Sequence, residues 1–227
     1  MRPLPLLVVL ASFASTARAQ VTSVDEGSFT ITRAGARVGR EDFSIRSSPG
    51  PSGGAMLVAH GIVVMGARRI EPSQNADTSG AVLNYNSTVK EGGRDVVVYS
   101  GKFARDHYQA RTSRPEGETW REFRLPAGTV AVEDDVIHQL WFIARRGPGA
   151  AVPVLAPLRN AIERVRVELV GDERLTIDGE TFAARHLRLR TDGSGAVRDV
   201  WLDASGRILQ VAVPATKVLA VRDEPPR

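Results

Sequence analysis

The sequence predicts a mainly β protein, a strongly curved antiparallel sheet or incomplete barrel with one central helix at about residues 134–146. Three observations predict it. Short stretches alternate apolar and polar residues along most of the chain, at the period of two that a strand with one wet face requires. Turns containing glycine separate these stretches. One segment, Val136 to Ala144, is apolar nearly all round, so it belongs inside the sheet rather than on a wet surface.

Residues 1–19 read as a signal peptide. Arg2 is the positive start, Leu4 to Phe13 the apolar stretch, and Ala17-Arg18-Ala19 a small-x-small cleavage pattern before Gln20. The expected location is therefore periplasmic or extracellular. The apolar run is too short to persist as a membrane span, and no other run approaches the ~18 apolar residues that one needs. Residues 20–227 are read as a single β-rich domain. The chain has no cysteine, so it lacks disulfides, a thiol nucleophile and a lipid-modified N-terminal cysteine. Without such staples it needs a real core.

The precursor carries 30 basic and 26 acidic residues, and loss of Arg2 and Arg18 leaves 28 against 26. No block of like charge resembles a nucleic-acid arm, so no nucleic-acid partner is expected.

The strands follow in order. Phe29 and Ile31 share one side of Ser28 to Arg33, Ala34-Gly35 turns, and Phe43 and Ile45 share one side of Val38 to Arg46. Ser47 to Gly54 reads as a loop. Ala55 to Met65 reads as a buried strand with a bulge at Gly61. Arg68 to Ile70 continues the sheet, and Glu71 to Gly80 reads as polar and turn-like. Ala81 to Val89 and Asp95 to Phe103 are strands. His107 to Thr112 and Trp120 to Leu125 flank a hairpin turn.

Asp134 or Asp135 is expected to cap the helix that Val136 to Arg146 carries, with Gly147-Pro148 stopping it. Gly149 to Pro157 reads as an extended linker. Ile162 to Val170 alternates, and Gly171-Asp172 is expected to turn into the closing strands. Those strands occupy Asp178 to Val213, a three-stranded meander turned at Asp192-Gly193-Ser194-Gly195 and Asp203-Ala204-Ser205-Gly206. Arg188 and Arg190 are placed to pair with Asp199 or Asp203, at about 0.2–1 kcal/mol per pair. Lys217 to Ala220 is a last short strand, and Asp223 to Arg227 a frayed tail.

Chemical motifs give way to structural readings. Asp77-Thr78-Ser79-Gly80 approaches the loop of an aspartic protease, which needs two such aspartates, each after an apolar strand; here Ser79 is an insertion and Gln74-Asn75-Ala76 precedes it, so it reads as a turn. His60, His107, His138 and His186 show no zinc spacing. Glu133-Asp134-Asp135 reads as a helix start. No nucleophile elbow, phosphate loop or dinucleotide fingerprint is present. Arg164, Arg166, Arg185, Arg188 and Arg190 read as a solvated face with mixed charge. No catalytic residue, cofactor site or metal site is assigned.

The opening hairpin with Gly35 and Gly39, the 134–146 segment running into Val152-Pro153-Val154, and the closing Val200-Trp201-Leu202-Asp203…Gly206-Arg207-Ile208-Leu209 resemble exported bacterial β-domains of unknown function. The layout is distantly similar to lipoprotein-carrier and lipoprotein-receptor domains, in which a curled sheet covers helices. That resemblance implies a space for acyl chains, although this chain has one clear helix rather than several.

The preferred expectation is a non-enzymatic protein binding a lipid or other apolar ligand, or an envelope protein. Leu140, Trp141, Leu187, Leu189, Val200, Leu202, Leu209 and Val211 are expected to line that ligand or touch the buried helix. The alternatives are an extracytoplasmic hydrolase, which needs histidines converging in a pocket, and an assembly module using an edge strand.

Overall fold

A computed structural model of the protein describes residues 21–50, 53–104 and 107–226. The expected signal peptide lies outside the described residues. Fifteen strands among the described residues form one sheet. The first eight are β1 (Thr22–Arg33), β2 (Ala36–Pro49), β3 (Ala55–Met65), β4 (Arg68–Asp77), β5 (Val82–Glu91), β6 (Arg94–Ala104), β7 (His107–Arg114) and β8 (Gly117–Phe123). The others are β9 (Val130–Ala131), β10 (Ala151–Ala156), β11 (Ala161–Ile177), β12 (Glu180–Thr191), β13 (Val197–Leu202), β14 (Ile208–Val213) and β15 (Val218–Arg222).

Two meanders run outward from a central seam where β1 pairs with β15, in the register Phe29↔Arg222 and Ile31↔Ala220. From there β2 to β8 extend one way and β14 to β9 the other. All neighbours are antiparallel except β9 and β10. The sheet curls until the Val82 amide donates to the Thr129 carbonyl at 2.8 Å. That brings the β9 end to β5 without forming a ladder, and β6 to β8 continue past it. The sheet is curved, as expected, and it is not closed into a barrel.

A buried ion pair fixes the seam. Arg222 reaches Asp25 Oδ1 at 2.8 Å, donates to the carbonyls of Ile208 and Glu26, and both side chains are 2 % exposed. Gly27 leaves the room this needs, since a Cβ there would meet the guanidinium at 2.9 Å.

The core lies in the hollow of the curl. Val136, Ile137, Leu140, Trp141, Phe142, Ile143 and Ala144 pack with Phe29, Ile31, Phe43, Ile45, Val200 and Val211 in one cluster. Burying each large apolar side chain contributes about 1.5–3 kcal/mol. This segment plugs the sheet, but it is much shorter than the expected 134–146 helix. It consists of a 3-10 turn at His138–Leu140 and a single α-turn, α1, at Trp141–Ala144. The reason is at its start. Asp134 binds Arg198 and Arg159 instead of capping. The Ile137 and His138 amides donate to the Glu41 carboxylate, from β2, at 2.6 and 2.8 Å.

Five further expectations are corrected. Gly61 is no bulge: the β2–β3 register runs through Phe43↔Gly61 without a shift. Its missing Cβ admits His138, whose Cε1 would lie 2.6 Å from that atom. Glu71 to Asp77 is strand, with Pro72, Gln74 and Ala76 turned inward. Gly149 to Pro157 is not a linker, because β10 pairs with β11 through six residues, Ala151 to Ala156. Gly171 is a register shift within β11 rather than a turn, and the reversal comes at Asp178-Gly179. Asp223 is tied down rather than frayed, accepting from Ser28 Oγ and pairing with Arg40.

The three strands and two turns of the closing meander form as read, although a register shift moves Leu209 off the inner side. Arg188 faces Asp199 across the β12–β13 register and binds it at 2.8 Å. Arg190 binds Glu168 instead. The Asp-x-Ser-Gly stretches are turns: Asp77 accepts from Ser79 Oγ and the Ala81 amide, and Asp203 from the Arg207 amide.

Candidate functional site

The plug fills the hollow, and the residues expected to line a ligand are core. Leu140, Trp141, Leu187, Leu189, Val200, Leu202 and Val211 all belong to the main cluster. Leu209 does not. A register shift between Trp201 and Leu202 places an extra residue in β14, so Ile208 takes the inward position. Leu209 then packs with Trp201, Ile177 and Ala184 in a separate cluster.

Space survives at the two ends of the plug. At the end where it begins lies a cleft of about 350 Å³, walled by Ile31, Met65, Ile137, Val197, Val213 and Val218. Its walls come from β1, β3, β13, β14 and β15, whose ends converge around Ile137. The rim carries Arg33, Asp134, Asp135 and Arg198. Arg198 binds Asp134 at 2.6 Å, Arg159 binds the other Asp134 oxygen at 2.9 Å, and Arg68 stands 4.0 Å from Asp135. The acidic rim is therefore largely committed to ion pairs. What the cleft offers a ligand is an apolar wall, in the size range of small-molecule sites. Sequence reasoning missed all six wall residues.

At the other end a second cleft of about 350 Å³ opens between the plug and the β13–β14 turn. Three of the expected lining residues, Trp141, Leu187 and Leu202, contribute to it.

The histidines do not converge. His60 is exposed on the outer side of β3, and burial, then His138 and Arg46, lowers its pKa. His107 faces Arg124 at 3.2 Å. His138 is 1 % exposed, stacks on Phe43, and meets Glu41 Oε1 through Nδ1 at 2.7 Å. His186 stacks on Trp201, with Nδ1 2.7 Å from Glu173 and Nε2 3.2 Å from Asp199. None of the four lines either cleft.

A second buried acid lies beside the plug. Glu133 accepts from the Leu158 amide at 2.8 Å, while its own amide donates to Gln139 Oε1 at 2.7 Å. Burial is the chief cause that pushes its carboxyl up to about 8. Gln139 in turn donates to the Tyr85 hydroxyl at 3.2 Å. These bonds tie the plug to the place where β9 meets β5.

Among the described residues no helix is long and apolar enough to cross a membrane, and no group of three or more acidic or histidine side chains is arranged to hold a metal ion.

A curled, β-barrel-like sheet around a short plug defines the class of fold. The same class appears in a β-barrel-like protein of the domain of unknown function DUF1849 from Brucella abortus. The two align with a TM-score of 0.56 at 11 % identity, over 88 % of this chain and 97 % of that one. A DUF1089 family protein from Pseudomonas aeruginosa aligns with a TM-score of 0.39 at 16 % identity, over 92 % and 98 %. The first likeness supports the fold alone. It agrees with the resemblance to uncharacterised β-rich domains drawn from the sequence. No family model matches the chain, and no curated protein matches it.

Proposed function

We propose that the protein is an exported, non-enzymatic binding module that holds a small apolar ligand in the cleft where the plug begins. The observation that carries this reading is the apolar wall of Ile31, Met65, Ile137, Val197, Val213 and Val218, left open at the end where the plug begins. A lipid or other apolar molecule gains by leaving water there, at about 25 cal/mol per Å² of apolar surface removed. Export is supported by the leader-like residues 1–19.

Protein purified from the envelope of its own cell tests both parts. The reading expects an N-terminus at Gln20 and one extractable apolar molecule per chain. Cytoplasmic full-length protein argues against export. Protein that carries no such molecule, and gains no thermal stability with lipids, argues against the ligand.

A second reading is an assembly module that adds a partner strand to β8. It is favoured by one observation: among the described residues β8 pairs only with β7, and Gly117 to Glu122 are exposed throughout, with Trp120 68 % exposed. Trp120→Pro, at a position whose N–H points away from β7, blocks such pairing without touching the core. Loss of a partner in envelope cross-linking would support this reading over the first.

A further inference from the structure

The cleft at the far end of the plug differs in chemistry from the apolar one. Its floor is Trp141, Leu187 and Leu202, and two arginines, Arg145 and Arg185, stand over it. Among the described residues no ion pair or hydrogen bond joins either guanidinium to a carboxylate. Arg145 lies over the Trp141 ring, 4.4 Å from its centroid. Burial, and then the like charge of Arg146, lowers its pKa, with Asp77 acting weakly the other way. Asp77 acts on this cation from a distance, and no ion pair joins the two among the described residues.

Two of the three acids nearby are engaged elsewhere. Asp203, on the cleft wall, is held by the Arg207 amide and by Arg207 Nε, both at 2.8 Å. The Asp77 carboxylate accepts from Ser79 and Ala81. Asp172 faces Arg185 across the β11–β12 register without forming an ion pair with it.

On the opposite, outer face of the sheet the arginines are paired: Arg188 with Asp199, Arg190 with Glu168 and Arg166 with Asp192. Arg185 departs from that pattern where the strand reaches the cleft. A guanidinium presents a planar fork of donors that matches the two oxygens of a carboxylate or phosphate. An aromatic and aliphatic floor beneath it suits the apolar body that carries such a group.

We propose that this second cleft binds an anionic amphiphile, its carboxylate or phosphate held by Arg145 and Arg185 and its apolar body laid on Trp141, Leu187 and Leu202. The site is separate from the cleft where the plug begins and does not depend on that one being occupied.

Calorimetric titration with a matched set of probes tests it. Octanoate and octyl phosphate carry head and body, acetate and inorganic phosphate the head alone, and octanol the body alone. Saturable binding is expected for the first two, with the head-only and body-only probes at least tenfold weaker. Arg185→Gln, at an exposed position, should weaken octanoate about tenfold, the loss expected for one charge-assisted hydrogen bond. Arg185→Lys should recover part of the affinity, and Arg145→Gln should act like Arg185→Gln. Asp172→Asn, which removes the acid facing Arg185, should tighten binding. If inorganic phosphate binds as tightly as octyl phosphate, the site is a plain anion site and the amphiphile is wrong. If octanol matches octanoate, or Arg185→Gln leaves affinity unchanged, the proposal fails. Val197→Trp, in the other cleft, should leave octanoate binding untouched, and its loss there would also overturn the assignment.

Discussion

Glu41 of β2 and His138 of the plug meet inside the curl, with Glu41 Oε1 2.7 Å from His138 Nδ1 and both side chains essentially inaccessible. The same carboxylate receives the Ile137 and His138 amides. One side chain from the sheet thus does what a cap residue does for an ordinary helix. Removing it by Glu41→Ala would leave three buried donors without a partner. The expected loss is about 3–5 kcal/mol, the range for breaking a buried pair by deleting one member. Urea denaturation read by far-UV circular dichroism measures it. Glu41→Gln keeps one acceptor oxygen and should cost clearly less. Equal, small losses in both variants would contradict the capping role.

Gly61 gives a second, geometric test. Alanine there would place its Cβ 2.6 Å from His138 Cε1 and 3.0 Å from Nδ1. The ring is stacked on Phe43 and bonded to Glu41, so it cannot yield easily. Gly61→Ala should cost about 1–3 kcal/mol through overpacking. Gly171→Ala is the control, since a Cβ there meets nothing within 4 Å, and it should change stability by less than about 0.5 kcal/mol. Thermal unfolding of the two variants side by side decides the matter.

The buried Glu133 makes stability depend on pH. Its carboxyl titrates at about 8 in the folded protein, against an ordinary value of 4.5 in the unfolded chain. Between those values the folded state keeps a proton that the unfolded state has released, so stability falls as pH rises from about 4.5 to about 8. His60 acts oppositely: its lowered pKa makes stability rise with pH near its ordinary 6.5. Glu133→Gln isolates the first effect. The variant should gain stability over the wild type progressively from pH 5 to pH 8, as midpoint temperatures across that range would record. A constant offset between the two curves would contradict the assignment.

Much of this was legible in the sequence because alternation reports burial directly. Leu187, Leu189 and Val200 lie inward and Arg188 outward, as their spacing says. The apolar run at Val136 to Ala144 announced its burial too, but not its form. Nothing local shows that Glu41, 97 residues before His138, would cap a single turn. Strand β4 was hidden because its inward residues include Pro72 and Gln74, which read as a turn. Leu209 was misplaced because one extra residue in β14 reverses the alternation. The two clefts were out of reach for a different reason. Their walls join the ends of strands distant in sequence, and no periodicity records which ends meet.

The central claim, an apolar ligand held where the plug begins, is tested most directly by titrating the protein with the neutral fluorescent probe N-phenyl-1-naphthylamine. The account predicts saturable binding of one probe per chain, weakened at least tenfold by Val197→Trp, which places an indole in the cleft, and unchanged by Arg185→Gln at the opposite end. Absence of saturable binding, or equal binding by the wild type and Val197→Trp, would contradict it.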